Sequence, residues 1–386
     1  MKKPKLIRIT TVPLSLEKLL ENQARFMSAD FEVVLVSSDA ERLARVGQHQ
    51  GVRTFCVEMT RKITPLKDVL SLWQMYRFLK REKPEIVHSH TPKAGIIGML
   101  AARLAGVPIR MHTVAGLPLL EATGIKRKVL DFVESLTYAA ATLVLPNSHG
   151  LCRIIQQNGY CKAGKLRVLG NGSSNGIDTD HFSPDHFTDS QRGELKSEFG
   201  ISPSDFVFIF VGRIVRDKGI DEAVNAFVSI NRDFPRTKFL LVGDFEPDLD
   251  PVSGVTMAAI KDHPGIISAG FRADVRPFLA ISDALVFPSY REGFPNVVMQ
   301  AGAMELPAIV SDINGCNEIV EEGKNGLIIP VKHADAVRLA MQTMVSDAPL
   351  FHGMRQNARP MIVERYGQKF IWEALRREYC EQLKDV

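Results

Sequence analysis

Pro288-Ser289-Tyr290-Arg291-Glu292-Gly293-Phe294-Pro295-Asn296-Val297-Val298-Met299-Gln300-Ala301 follows a short apolar run, Ala284-Leu285-Val286-Phe287. The run has the look of a buried strand. Glu292 to Pro295 is a turn, and Val297 to Ala301 opens an apolar helix. A strand, a Gly-Pro turn and a helix start form an anion site, because unpaired N–H groups and the helix dipole both face it. Glu292 stands at the mouth of that site and Gln300 two turns inside the helix, so one extended ligand could reach both. An ordinary strand-to-helix turn carrying an exposed acid accounts for the same residues.

The same unit recurs along the chain. Strand-like runs lie at Leu6 to Val12, Phe31 to Ser38, Ile86 to His90, Ile109 to Val114 and Ala141 to Pro146. Between them, Leu66 to Lys83 and Ala94 to Ala105 carry helical spacing. Gly170 to Gly176 is dense in turn formers and reads as a linker. After it the pattern restarts with Phe206 to Gly212, Phe239 to Gly243, Ile266 to Gly270, Ala284 to Phe287 and Pro307 to Val310. Continuous apolar strands separated by helices predict parallel sheets covered on both faces. The expected fold class is α/β, with two doubly wound Rossmann-like domains over residues 1–175 and 176–367. A last helix within 368–386 is expected to pack back on the first domain. In such sheets ligands gather at the carboxyl ends of the strands, so the cleft between the domains is the expected site.

Composition bounds the function. With 386 residues and 45% hydrophobic content, the chain can build two cores. Lys2, Lys3 and Lys5 precede a strand, not a secretory leader. The longest apolar candidate, Gly95 to Ile109, is interrupted by Arg103 and carries Pro108, short of a membrane span. Five scattered cysteines without a C-x-x-C suggest reduced thiols in a cytosolic protein, not a disulfide frame or zinc site. Residues 1–175 hold 26 Lys and Arg against 13 Asp and Glu, or +13; residues 176–386 hold 22 against 31, or −9. A basic first half implies an anionic partner. Its clusters are Arg61-Lys62, Arg77/Lys80-Arg81/Lys83 and Lys126-Arg127-Lys128. No binding motif accompanies the charge, which argues against nucleic acid.

Polar residues collect at the predicted strand ends: His88, His90, His112, Asn147-Ser148, Gly212-Arg213, Gly243-Asp244 and Glu292. Arg213 and Lys218 flank one loop before a helix, so both could face a diphosphate, particularly one gaining charge as it leaves. There is no G-x-G-x-x-G after either first strand and no P-loop, which removes support for hydride transfer and triphosphate hydrolysis. His88 and His90 alternate on a strand and are expected on opposite faces, too far apart to chelate one metal.

With these residues the chain resembles a bacterial retaining glycosyltransferase of family 4 with the two-domain GT-B fold, over nearly its whole length. The most specific likeness lies in Gly212-Arg213 with Lys218-Gly219, and in Glu292-Gly293-Phe294-Pro295-Asn296 with the helix it opens. The segments 88–93, 112–118, 171–178 and 312–318 are similar to enzymes of capsule and O-antigen polysaccharide assembly. The resemblance implies transfer of a sugar from a nucleotide-sugar, a UDP-sugar, to a polyprenyl-diphosphate-linked glycan, with retention and without a metal. It implies Glu292, Arg213, Lys218 and His112 at the reacting centre. The donor would be held by Gly212, Asp244, Arg272, Gly293, Phe294, Pro295, Asn296, Val297 and Gln300. His90, Pro13 and Ser15 would border the acceptor. Two departures stand out. The family's second acid, which follows the first after seven intervening residues, is at this chain's corresponding position Gln300, whose amide could still bond a ribose diol. The glycine-rich loop of many relatives is here Thr10 to Leu16. The basic first domain is expected to sit peripherally on the inner leaflet. A nucleotide-sugar epimerase or hydrolase on the same fold, or a non-catalytic nucleotide-sugar-binding subunit, are the alternatives.

Overall fold

In the computed structural model the described residues are 2–60, 64–117, 119, 122–246, 248 and 250–384. The basic pair Arg61-Lys62 and Pro118 of the 112–118 segment lie outside them. The chain divides into two compact units, Met1–Gly176 with Gln368–Val386, and Ile177–Gly367.

The first unit is built on six parallel strands: β1 (Lys5–Ile9), β2 (Glu32–Ser37), β3 (Arg53–Cys56), β4 (Ile86–Ser89), β5 (Ile109–Val114) and β6 (Leu143–Pro146). Their order across the sheet is β3-β2-β1-β4-β5-β6. Ile7, Val36, Val87 and Val144 face one helical layer, and Leu6, Leu35, Ile86 and Leu143 face another. Burial on both faces is why β2 and β6 read as near-continuous apolar runs. The helix Gln368–Lys384 belongs to this unit, inserting Leu375 and Tyr379 into the second of those layers.

The second unit repeats the plan with β7 (Phe206–Val211), β8 (Thr237–Val242), β9 (Ile266–Gly270), β10 (Ala284–Phe287), β11 (Ala308–Ser311) and β12 (Gly326–Ile329). The order β12-β11-β10-β7-β8-β9 is that of the first sheet, read from the other edge. The sequence pattern omits the edge strands β3, none of whose four residues is fully buried, and β12, a short run opened by Gly326. In each sheet the chain reverses direction beside its first strand, between β1 and β4 and between β7 and β10. That point leaves a crevice at the carboxyl ends of two neighbouring strands, with helix starts on either side.

The first strand ends at Ile9, and the segment expected to be a loop becomes a short helix at Pro13 (Pro13–Lys18). Proline is well placed at a first helical position, where its missing N–H costs nothing.

Candidate functional site

The second unit's reversal point gathers the residues of interest. From the end of β7 the chain passes Gly212 and Arg213, makes a single 3-10 turn at Arg216–Lys218, and enters the helix Ile220–Asp233 through Gly219. From the end of β10 it runs through Pro288 to Pro295 into the helix Asn296–Ala303. The two loops are tied backbone to backbone: Tyr290 N–H donates to Asp217 O at 2.9 Å. Gly219 has φ of +71°, and a Cβ there would lie 2.8 Å from the carbonyl carbon of Pro288 and 2.9 Å from its Cγ. No side chain fits, so glycine permits the approach. Arg291 adds an ion pair to Asp217 at 2.9 Å.

This contact brings Lys218 to Glu292. Lys218 Nζ lies 2.5 Å from Glu292 Oε1, with the two side chains 15% and 17% exposed. The Ser289 hydroxyl donates to the same oxygen at 2.9 Å. The other oxygen, Oε2, accepts from none of the described residues, which leaves it available to a ligand hydroxyl. Lys218 Nζ also stands 5.9 Å from the centre of the Phe287 ring. A third loop, after β11, supports the turn from behind. Asn314 Nδ2 donates to Gly293 O at 2.7 Å and to Glu292 O at 3.2 Å. Gly315, at φ +78°, passes so close that a Cβ would lie 2.9 Å from Phe294 Cα. Behind it Cys316 is fully buried, its thiol pushed well up by desolvation and then by the Glu292 charge. Asn314 and Gly315 entered the sequence reading only as part of the 312–318 segment of family likeness. Nothing local says that their turn braces another.

Among the described residues no backbone carbonyl or side chain accepts from the N–H groups of Phe294, Asn296 and Val297. Pro295 is buried at the cap, and Asn296 is exposed. Unpaired N–H groups beside an amine and a carboxylate suit a ligand that carries both phosphate and hydroxyls. Gln300 is the fifth residue of its helix, one turn in where two were expected, and half-buried. Arg213 is half-exposed and donates to Glu246 Oε2 at 2.7 Å, a contact that raises its pKa. Glu246 carried no sequence signal. Asp244 is exposed, with its carbonyl accepting from Ile214 N–H at 2.8 Å. Arg272 turns back to donate to Ala269 O at 3.0 Å and lies over the Phe278 ring.

In the first unit the reversal point holds a buried polar network. Arg8, on β1, is fully buried, and its Nε and Nη2 reach His90 Nε2 at 3.2 and 2.9 Å. The acceptor role this gives Nε2 leaves the proton on Nδ1, which has no partner among the described residues. His88 bonds Tyr379 Oη at 2.5 Å and Thr113 Oγ1 at 2.8 Å. Contrary to expectation His88 and His90 share a side, their ring centres 4.0 Å apart. Residues two apart on a strand point to the same face, so the pleat itself puts both rings on one side, and the expectation misapplied the strand period. Desolvation holds both well below the usual histidine range.

His112, expected beside the reacting sugar, is buried in the first unit. Its ring is 3% exposed, bonds Ser89 Oγ at 2.8 Å and lies under the helix Pro92–Ala105 against Gly95. It faces the helical layer, and burial pushes its pKa down to about 4. Pro13 and Ser15 are likewise buried in their short helix. Glu318 sits in the first turn of the helix Cys316–Ile319, as an N-terminal charge should.

The chain matches the family Glycosyl transferases group 1 over residues 191–361 and the Glycosyl transferase 4-like domain over residues 17–172. It is 32% identical to the capsular polysaccharide biosynthesis glycosyltransferase CapM of Staphylococcus aureus, over all of this chain and 99% of that one. The chain is a glycosyltransferase of this family. A second relative, also 32% identical, over 94% of this chain and 91% of its own, is the UDP-Gal:alpha-D-GlcNAc-diphosphoundecaprenol alpha-1,3-galactosyltransferase of Escherichia coli. Among solved structures, HepE of Anabaena in complex with UDP superposes with a TM-score of 0.81 at 18% identity, covering 99% of this glycosyltransferase and all of that chain. Its fold is therefore GT-B, two doubly wound α/β units. Among the described residues no helix is long and apolar enough to cross a membrane.

Proposed function

We propose that this glycosyltransferase moves a hexosyl or N-acetylhexosaminyl group from a UDP-sugar to a polyprenyl-diphosphate-linked glycan in surface polysaccharide assembly, with retention. The observation that carries the reading is the Lys218–Glu292 pair, 2.5 Å apart beside the unpaired N–H groups of Phe294, Asn296 and Val297. The second unit takes the donor. Glu292 binds sugar hydroxyls, and Lys218, Arg213 and the N–H groups of Phe294, Asn296 and Val297 take up the charge of the diphosphate. Gly212, Gly293 and Pro295 shape the backbone around it, Asp244 and Arg272 border the nucleotide, and the Gln300 amide bonds the ribose. As the bond from the anomeric carbon to the phosphate oxygen breaks, UDP leaves with the electron pair. The acceptor hydroxyl attacks from the same face and passes its proton to the departing phosphate. Cations and N–H groups fixed in advance lower that barrier, each by about 3–4 kcal/mol. This charge set makes a divalent metal unnecessary.

The first unit takes the acceptor, near His90, while the enclosed His112 supports the helix that carries that edge. Its excess of Lys and Arg favours the anionic inner leaflet, each residue adding about 1 kcal/mol near the surface. Two relatives bear on the acceptor, since the names of the E. coli enzyme and a Campylobacter jejuni transferase both specify an undecaprenyl-diphosphate-linked substrate. The test is incubation with UDP-sugars, with and without a lipid-diphosphate-linked saccharide, in the presence of EDTA. Product that forms only with acceptor and persists in EDTA is expected. Conversion without acceptor would instead mean an epimerase or hydrolase, and binding without turnover a non-catalytic subunit.

A further inference from the structure

The helix Pro65–Glu82 has two faces. Ser71, Met75, Phe78 and Leu79 are buried in the first unit. The opposite stripe carries Leu66, Val69, Leu70 and Trp73, at 85, 64, 62 and 54% exposure. Their spacing of i, i+3, i+4 and i+7 is that of one helix face, so the first half of this helix turns an apolar stripe outward. One turn further on, the outer stripe becomes Arg77 and Lys80, both exposed and without a carboxylate partner among the described residues. Arg77 lies 4.8 Å over the Trp73 ring. The acids of the helix are engaged elsewhere, Asp68 with Lys93 at 2.5 Å and Glu82 with Lys5 at 2.8 Å. Outward, therefore, the helix offers apolar side chains and positive charge only.

A second helix repeats the arrangement. Gly124–Ala140 exposes Ile125, Val129 and Phe132, at i, i+4 and i+7, beside exposed Lys126 and Lys128. The helix Pro92–Ala105 packs between the two. All three helices therefore belong to one layer of the unit. Single exposed leucines are ordinary, but two aligned stripes, each with a cationic border, are not.

We propose that these two stripes form a docking surface that inserts into an anionic lipid bilayer. The charge favours an anionic partner, and Trp73 with Arg77 makes an amphipathic pair suited to the depth between headgroups and acyl chains. The inference rests on the lipid-linked acceptor of the proposed function and adds to it. Charge alone would leave the unit sliding on the headgroups, whereas the stripes anchor it by apolar burial.

The chain carries two tryptophans, Trp73 and the half-buried Trp372. In the Trp372→Phe variant, emission from Trp73 is expected to shift to the blue on vesicles containing phosphatidylglycerol and not on pure phosphatidylcholine. In co-sedimentation, Leu70→Ser/Trp73→Ser and Ile125→Ser/Phe132→Ser should each weaken vesicle binding about tenfold or more. Val255→Ser and Leu339→Ser, exposed apolar residues of the second unit, should not. Transfer to a soluble short-chain acceptor should stay at the wild-type rate in every variant. Loss of transfer to every acceptor by the wild type would sink the proposed function, not the docking surface. Vesicle binding unchanged in both double variants, or equal on neutral and anionic vesicles, overturns the docking surface. So does a shift from dimer to monomer without loss of vesicle binding, since the stripes would then cover a second copy.

Discussion

Gly219→Ala tests whether the two donor loops are pinned to each other by contact. The new methyl would sit 2.8 Å from Pro288 C and 2.9 Å from Pro288 Cγ. Carbon atoms prefer about 3.5–4.0 Å, so the loops must part by about 1 Å. Forcing a methyl into packed surroundings costs about 1–3 kcal/mol. The left-handed φ of +71° adds about 1 kcal/mol for any residue with a Cβ. The total is about 3 kcal/mol. For a unit of this size it should lower the thermal midpoint by about 6–12 °C. Gly200→Ala is the control, with a similar φ of +63° and nothing within 4 Å. It bears only the conformational cost, about 1 kcal/mol, or about 2–4 °C. Parting the loops separates Lys218 from Glu292, and a misplacement of about 1 Å is worth about 100-fold in rate. Calorimetry and transfer rates on both variants decide it. Equal melting shifts for the two, with wild-type turnover in Gly219→Ala, would refute the pinned-loop account.

Two further outcomes are expected. Lys218→Ala and Glu292→Ala should each reduce turnover by about 100- to 1,000-fold with little change in melting. Because the two side chains share one contact, the double variant should lose less than the product of the single losses, as a double-mutant cycle will measure. The first unit should also lose stability in acid. Burial lowers the pKa of His112 from 6.5 to about 4 and those of His88 and His90 in the same direction. The unfolded chain then binds more protons than the folded one below pH 6.5. Stability is thus fully present above that value and is lost as pH falls towards 4. His112 alone contributes about 3 kcal/mol over that range. Urea unfolding across that pH range, with tyrosine and tryptophan emission reporting on the unit, reads the slope; a flat profile would mean the histidines are solvated.

The strands and helices were legible because both sheets are buried on both faces, so β6, β7 and β10 appear as unbroken apolar runs whatever surrounds them. Glu292, Lys218 and the helix after Pro295 were legible for a related reason. Strand ends, turns and helix starts are local features, and in this topology they coincide with the place where ligands bind. Local rules failed where a side chain's surroundings come from distant segments. His112 carried the same polar, strand-end signature as Glu292, yet Gly95 lets a helix close over its ring. His88 and His90 share a side because residues two apart on a strand do, but Tyr379 arrives from 291 residues away to complete their network, which no local rule foresees.

The sequence by itself determined the two-fold repetition of α/β architecture, the charge difference between the halves and the chemistry available at each strand end. These depend on composition and short-range periodicity. The tertiary structure alone decided which of those groups share a site. Lys218 and Glu292 are 74 positions apart, and only the parallel pairing of β7 with β10, with the bare backbone of Gly219 against Pro288, brings an amine to a carboxylate at 2.5 Å. Distance in space follows from register and close packing, which no window of sequence contains.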